Sequence, residues 1–69
     1  MERKVSRYAL AEDYCVECTT RSDVFGNKSF DVEVIFVTLE IPVESFKGMT
    51  DASEANACFK KVMQKYKGI

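Results

Sequence analysis

Residues 28–42, which read KSFDVEVIFVTLEIP, decide the fold. β-Branched and aromatic residues dominate this stretch, and it ends at Pro42, which has no N–H to donate to a β-ladder. We therefore predict one strand over residues 29–41. The apolar residues are even-numbered from Phe30 to Phe36, and odd-numbered from Ile35 onward. Because successive side chains of a strand point to opposite faces, the apolar side changes face in the middle of the predicted strand.

Two explanations fit this change of face, and they are not exclusive. A β-bulge near residues 35–37 would bend the strand and re-aim its side chains. Alternatively, a second surface, such as the same strand of another copy, covers the second apolar side. A strand of this length spans about 43 Å, whereas the C-terminal helix described next spans only about 25 Å. One helix therefore cannot cover the whole strand.

The C-terminal third of the chain predicts an amphipathic helix over residues 51–67. Asp51 and Glu54 have the spacing of a capping box, and Gly68 supplies a stop. Apolar side chains between them recur at intervals of three and four residues, as on one helical face: Ala55, Cys58, Phe59, Val62, Met63 and Tyr66.

Residues 13–20, which read DYCVECTT, alternate in polarity and predict a further strand. A two-residue hairpin turn at Gly26-Asn27 would place Tyr14, Val16 and Cys18 opposite Leu39, Val37 and Ile35. Residues 4–11 either lengthen this strand or form a separate one. The predicted fold class is therefore α+β: an antiparallel β-hairpin or three-stranded meander, followed by one C-terminal helix packed on the sheet, in a single domain over residues 1–69. The meander would bring the basic N-terminus near the helix C-terminus, and the hairpin would separate them.

The bulk composition describes a small globular protein. The chain has 69 residues, of which 46% are hydrophobic and 30% charged. No apolar run approaches the roughly 18 residues of a membrane span, and the N-terminus lacks the apolar core of a signal peptide. We therefore expect a cytoplasmic protein that does not enter a membrane.

The charge is unevenly distributed. Residues 8–54 hold ten acids against Arg21, Lys28 and Lys47, so their net charge is −7, whereas residues 1–7 carry +2 and residues 55–69 carry +4. This distribution differs from the basic stripe of a general nucleic-acid binder. We therefore do not expect broad nucleic-acid affinity.

The three cysteines do not predict a reactive or metal-binding centre. Cys15 and Cys18 have zinc-like spacing, but the chain has no histidine, and structural zinc normally takes four Cys or His ligands. Residues three apart on a strand also point to opposite faces. Cys58 lies on the apolar stripe of the helix and has no histidine to act as its base. We expect no catalytic residue, no metal and no cofactor, and hence a protein that is not an enzyme.

These features favour a small non-enzymatic protein-binding module, which acts as an inhibitor or regulator by docking on a partner protein and self-associates as a homodimer. Surface occlusion or strand addition would be its mechanism. The second apolar face supplies the self-association candidates Ile35, Val37, Leu39 and Ile41, and the acids supply the partner-surface candidates Glu12, Asp13, Glu17, Asp31 and Glu33. By analogy, compact acidic proteins of this size suit the inhibitors that mobile elements or viruses carry as accessory proteins.

The alternative hypothesis is a nucleic-acid-associated accessory protein that uses the basic face of the helix. Its candidate contacts are Lys60, Lys61, Lys65 and Lys67. Lysines in the last turns of a helix also stabilise it through the helix dipole, which is the simpler explanation of the same residues.

Overall fold

The computed structural model describes residues 2–10 and 12–67, and of Lys67 only the backbone. The elements are β1 (Glu2–Ala9), β2 (Tyr14–Ser22), β3 (Lys28–Phe36), β4 (Ile41–Met49) and α1 (Ala52–Lys67). The four strands form one antiparallel sheet in the order β1-β2-β3-β4, and α1 packs across one of its faces. The α+β prediction with a C-terminal helix on the sheet is confirmed, but the sheet has four strands rather than two or three.

The prediction of one strand over residues 29–41 is wrong, because the chain reverses within it. β3 ends at Phe36 and β4 begins at Ile41. Residues 37–40 form a tight turn in which the Glu40 N–H donates to the Val37 carbonyl at 3.2 Å. Pro42 does not end a strand; it is the second residue of β4, an edge strand, where a missing N–H is tolerated. The apparent change of face falls at this turn, and the β3–β4 pairing also shifts register between Val34 and Ile35, next to the position predicted for a β-bulge.

The predicted register between β2 and β3 is also wrong. Val16 lies opposite Val34 and Cys18 opposite Val32, rather than opposite Val37 and Ile35. The connection is a five-residue loop over residues 23–27 instead of a two-residue turn, and the Asp23 N–H donates to the Asn27 carbonyl at 3.0 Å across its base. The longer loop shifts the register by three residues, so the even-numbered residues of β3 face the helix.

The core lies between the sheet and α1. Val16, Val32 and Val34 are fully buried at its centre, and the apolar stripe of the helix covers them with Cys58, Phe59, Val62, Met63 and Tyr66. The helix prediction is confirmed to within one residue. Asp51 precedes the first turn, and its carboxylate accepts the Ser53 N–H at 2.9 Å, as an N-cap residue does.

β1 is a separate strand that pairs with β2 from Glu2 to Ala9. Because four antiparallel strands run alternately up and down, β4 ends at the end of the sheet where β1 starts, and α1 begins there. The basic N-terminal residues therefore lie at the opposite end from the C-terminus of α1, unlike in a three-stranded meander. Within residues 2–10 and 12–67, no helix has the length and apolarity that a membrane span requires.

Candidate interaction surfaces

A group of exposed aliphatic side chains surrounds the β3–β4 connection. We call Val37, Leu39, Ile41 and Val43 the apolar turn; their exposed fractions are 41%, 63%, 46% and 43%. The Val37 N–H donates to the Asp13 carbonyl at 2.7 Å, which holds the turn against the β1–β2 connection. Three of the four predicted self-association residues are therefore exposed around one connection. The fourth, Ile35, is buried on the sheet face opposite the helix, where it pairs with Cys15.

The β2–β3 loop, residues 23–27, displays two more apolar side chains at the other end of the sheet. Val24 and Phe25 are 79% and 85% exposed. The Asp23 carboxylate accepts the backbone N–H groups of Phe25 at 2.8 Å and Asn27 at 2.9 Å. These hydrogen bonds, that of Asn27 first, lower the pKa of Asp23. The loop therefore presents its apolar tip in a fixed conformation.

Sequence reasoning missed this tip, because it placed the whole turn at Gly26-Asn27. The available signal was the position of Val24-Phe25 between Asp23 and Gly26-Asn27. Residues that close a turn on both sides leave those between them at its tip, in solvent.

Four of the five predicted partner-surface acids lie in two places. Glu17 and Glu33 are cross-strand neighbours on the face opposite the helix. Each has a partner of its own: Arg7 donates to Glu17 at 2.9 Å, and the Ser45 hydroxyl donates to Glu33 at 2.9 Å. These contacts offset the repulsion that two facing carboxylates would otherwise feel. Glu12 and Asp13 lie instead in the β1–β2 turn, beside the apolar turn.

Asp31, the fifth of these acids, is a buried group that organises the edge of the sheet. The β3–β4 register shifts between Phe30 and Val32, and Gly48 adopts a φ of 77° on the bulged strand. One Asp31 oxygen accepts the Gly48 N–H at 3.0 Å, and the other accepts from the Arg21 guanidinium. Asp31 thereby satisfies a backbone amide of the bulged segment of β4.

A groove of about 650 Å³ runs between β4 and α1. We call it the helix groove. Its floor and walls are mostly apolar, and charged side chains surround its mouth. The apolar residues are Phe46, Met49, Ala57, Cys58 and Val62, and the charged ones are Glu44, Lys47, Glu54, Lys61 and Lys65.

One end of the helix groove is closed by a polar cluster. The Tyr66 hydroxyl and the Lys65 ammonium both donate to the Glu44 carboxylate, the latter at 3.0 Å. The Tyr66 hydrogen bond is the largest cause that lowers the pKa of Glu44, and the same bond raises the pKa of Tyr66 to about 12. Of the predicted basic-face residues, Lys65 is thus engaged within the chain, whereas Lys60 and Lys61 are exposed. The Lys67 side chain lies outside the described residues.

The three cysteines occupy different positions in the fold. Cys15 is buried on the face opposite the helix, and Cys18 packs under the helix with Val32, so the predicted alternation of this strand is confirmed. Burial raises the pKa of the Cys18 and Cys58 thiols, which opposes thiolate formation. Across the residues that the structure describes, no cluster of three or more Cys, Asp or Glu side chains could hold a metal ion.

In comparisons with known proteins, no family model matches the chain, and no curated protein or solved structure shows significant similarity to it.

Proposed function

We propose that this chain is a non-enzymatic protein-binding module that self-associates through the apolar turn and acts as an inhibitor or regulator by docking on a partner protein. The observation that supports it is the exposure of four aliphatic side chains around one connection. Scattered exposed apolar residues are ordinary, but a contiguous group on a small domain marks an interaction surface.

The small core gives a physical reason for association. Among the residues that the structure describes, the only large side chains that are fully buried are Val16, Val32 and Val34. Domains of this size bury only about 60% of the surface of their unfolded chain, and many gain stability from a partner chain. Burial of the apolar turn against a second copy would extend the core beyond the β3–β4 connection.

The apolar turn suits contact with its own copy. A twofold interface brings the same patch of both subunits together, and aliphatic side chains are self-complementary in this arrangement. Charges of both signs border the patch, because Glu40 lies 3.9 Å from the Arg7 guanidinium and Asp13 adjoins Val37. Two copies can therefore meet without a forced juxtaposition of like charges. The face that carries Glu17 and Glu33 stays available to a partner protein.

Sedimentation velocity over a wide concentration range tests the self-association. We expect the wild-type chain to dimerise and Leu39→Lys to weaken the dimer at least tenfold, since a loss of about 1.4 kcal/mol gives that factor. Val24→Lys is the matched control, because Val24 is exposed and aliphatic but lies at the other end of the sheet. Circular dichroism of both variants checks that the fold is retained.

A wild-type chain that stays monomeric throughout, or a dimer that Leu39→Lys leaves intact, would contradict the proposal. Binding to DNA or RNA that falls steeply with salt and is lost on Lys60→Gln with Lys61→Gln would instead support the nucleic-acid-associated alternative.

A further inference from the structure

We infer that the helix groove binds an extended segment of a partner protein in which an apolar side chain lies next to a carboxylate. This inference rests on the proposed function, since it names the chemistry of the partner that the module docks on. It uses a surface separate from the apolar turn.

The groove has the size and lining of a recognition site. Its volume of about 650 Å³ falls within the range of about 300–1,000 Å³ that is common for ligand clefts. Phe46 forms one wall and is 38% exposed, whereas Val62 beneath it is buried. Ala57 contributes only a methyl group to the helix wall, so space remains for an apolar side chain of another molecule.

The free edge of β4 can bind the backbone of the segment. β4 is the last strand of the sheet, so its outer N–H and C=O groups face away from β3 with no strand beside them among the described residues. An extended segment can add to such an edge through main-chain hydrogen bonds. Glu44, Ser45 and Phe46 pair regularly with β3 between two register shifts, so the pairing would be short.

The direction of the side chains then follows from the pleat. Glu44 and Phe46 point towards the helix, because they line the helix groove and Ser45 instead meets Glu33 on the other face. Alternate side chains of an added strand would likewise point into the groove. Every second side chain of the segment would therefore contact the groove lining of Phe46, Ala57 and Val62.

The charges at the mouth select the polar residue of the segment. Glu44 is already held by Tyr66 and Lys65. The Lys47 ammonium lies 3.8 Å from Glu33 and therefore at the face opposite the helix. Lys61 forms no ion pair with any residue that the structure describes, and it lines the same mouth. A carboxylate in the segment would meet Lys61, whereas a cation there would be repelled. Glu54 also lines the groove, but it lies about two helical turns from Lys61, towards the N-terminus of α1.

A second copy of the chain is a poorer occupant. The exposed Phe25 has the right shape for the groove, but Lys28 flanks its loop and the Asp23 carboxylate is occupied by backbone amides. The loop would bring a cation towards Lys61. The charge of the mouth thus favours an acidic segment of a different protein.

Two short blocked peptides test the inference, one with alternating valine and glutamate and one with alternating valine and lysine. They are titrated into the isotope-labelled Leu39→Lys variant, so that self-association does not interfere. We expect the glutamate peptide to shift the amide signals of residues 44–46, Ala57 and Lys61 and to slow the alkylation of Cys58. The lysine peptide should bind at least tenfold more weakly.

Two substitutions locate the binding. Ala57→Leu fills the groove and should weaken binding of the glutamate peptide at least tenfold. Gln64→Leu, which places the same new side chain on the exposed helix surface outside the groove, should leave the affinity unchanged. Lys61→Glu should reverse the preference between the two peptides. No binding of the glutamate peptide, equal binding to Lys61→Glu, or shifts confined to the apolar turn would overturn the inference. None of these results bears on the wild-type dimer, so the two proposals can fail separately.

Discussion

The β2–β3 loop and the β3–β4 turn both join antiparallel strands, and both leave large apolar side chains in solvent. They are built from different residues. The loop, DVFGN, has an aspartate that binds its own backbone and a glycine with a φ of 84°. The turn, VTLE, has no glycine, proline or asparagine, and its left-handed position is Glu40, with a φ of 53°.

The difference shows which residues determine the backbone conformation of each connection. The loop is determined locally, since Asp23 would favour the same turn in any hairpin. The turn is determined by its surroundings: the strands on either side pair with each other, and Val37 bonds to Asp13. Glu40 bears a strain of about 1–2 kcal/mol that only this context maintains. Strain of this kind, together with exposed aliphatic side chains, agrees with the proposed role of the turn in self-association.

The largest expected effect comes from weakening β3, the strand that both connections share. Val34 is fully buried opposite Val16. Val34→Ala should lower the free energy of unfolding by about 2–3 kcal/mol, from lost burial and a residual cavity. Chemical denaturation measures the change, and hydrogen exchange shows where it acts.

If the turn depends on the sheet, Val34→Ala should reduce the protection of the Val37 amide as much as that of Cys18. The loop should keep its local hydrogen bonds until the sheet itself unfolds. If the loop lost its protection before the turn did, the loop would not be determined locally and the turn would not be determined by its surroundings.

The next effect separates the two connections by pH. Hydrogen bonds from Asn27 and Phe25 hold the pKa of Asp23 below its ordinary value of 3.8. The folded state thus binds this proton less readily than the unfolded state, so the stabilisation is fully present above the ordinary value and is lost as the pH falls through the folded pKa. Asp23→Ala should lower the melting temperature at neutral pH and flatten its fall in acid. Thr38→Ala, in the turn, is the control and should do neither.

The same contrast explains what could be predicted from the sequence. The helix was predictable because Asp51 caps it and its apolar residues keep a helical period over four turns. The alternation of Tyr14 to Cys18 was predictable because one face of β2 is buried. The β3–β4 turn was not, since Val37 and Leu39 are strand-forming residues and the reversal depends on pairing with the rest of the sheet. The register failed for a related reason: Asp23, three residues ahead of Gly26, sets a five-residue loop that Gly26-Asn27 alone does not indicate.

The candidate surfaces divide in the same way. Three self-association candidates lie around one connection despite the wrong strand, because they fall within five consecutive residues, 37–41. The helix groove needed three-dimensional information, since Phe46 and Ala57 are brought together only by packing. Asp31 could not be recognised as buried, because its partner Gly48 lies in β4, a strand that the sequence analysis did not predict.

A smaller and opposite pair of effects tests the backbone strain. Gly26→Ala should lower the free energy of unfolding by about 1 kcal/mol, although an added Cβ would meet no heavy atom within 4 Å. Glu40→Gly should raise it by about 0.5–1 kcal/mol, because relief of the left-handed strain exceeds the added entropy of the unfolded chain. Urea denaturation resolves both. Stabilisation by Gly26→Ala, or a loss with Glu40→Gly beyond that of the exposed Arg7 contact, would refute the contrast.

The smallest expected effect on stability tests whether the exposed apolar side chains of the two connections contribute to the fold of the monomer or only to self-association. Phe25→Ser should change the free energy of unfolding by less than about 0.5 kcal/mol, because the side chain is exposed and the loop is held by Asp23 rather than by its tip. Leu39→Ser should be equally mild in a dilute monomer. At concentrations where the chain dimerises, only Leu39→Ser should lower the melting temperature, since binding to the folded state stabilises it by mass action. A dimer-dependent loss with Phe25→Ser would assign self-association to the loop instead of the turn.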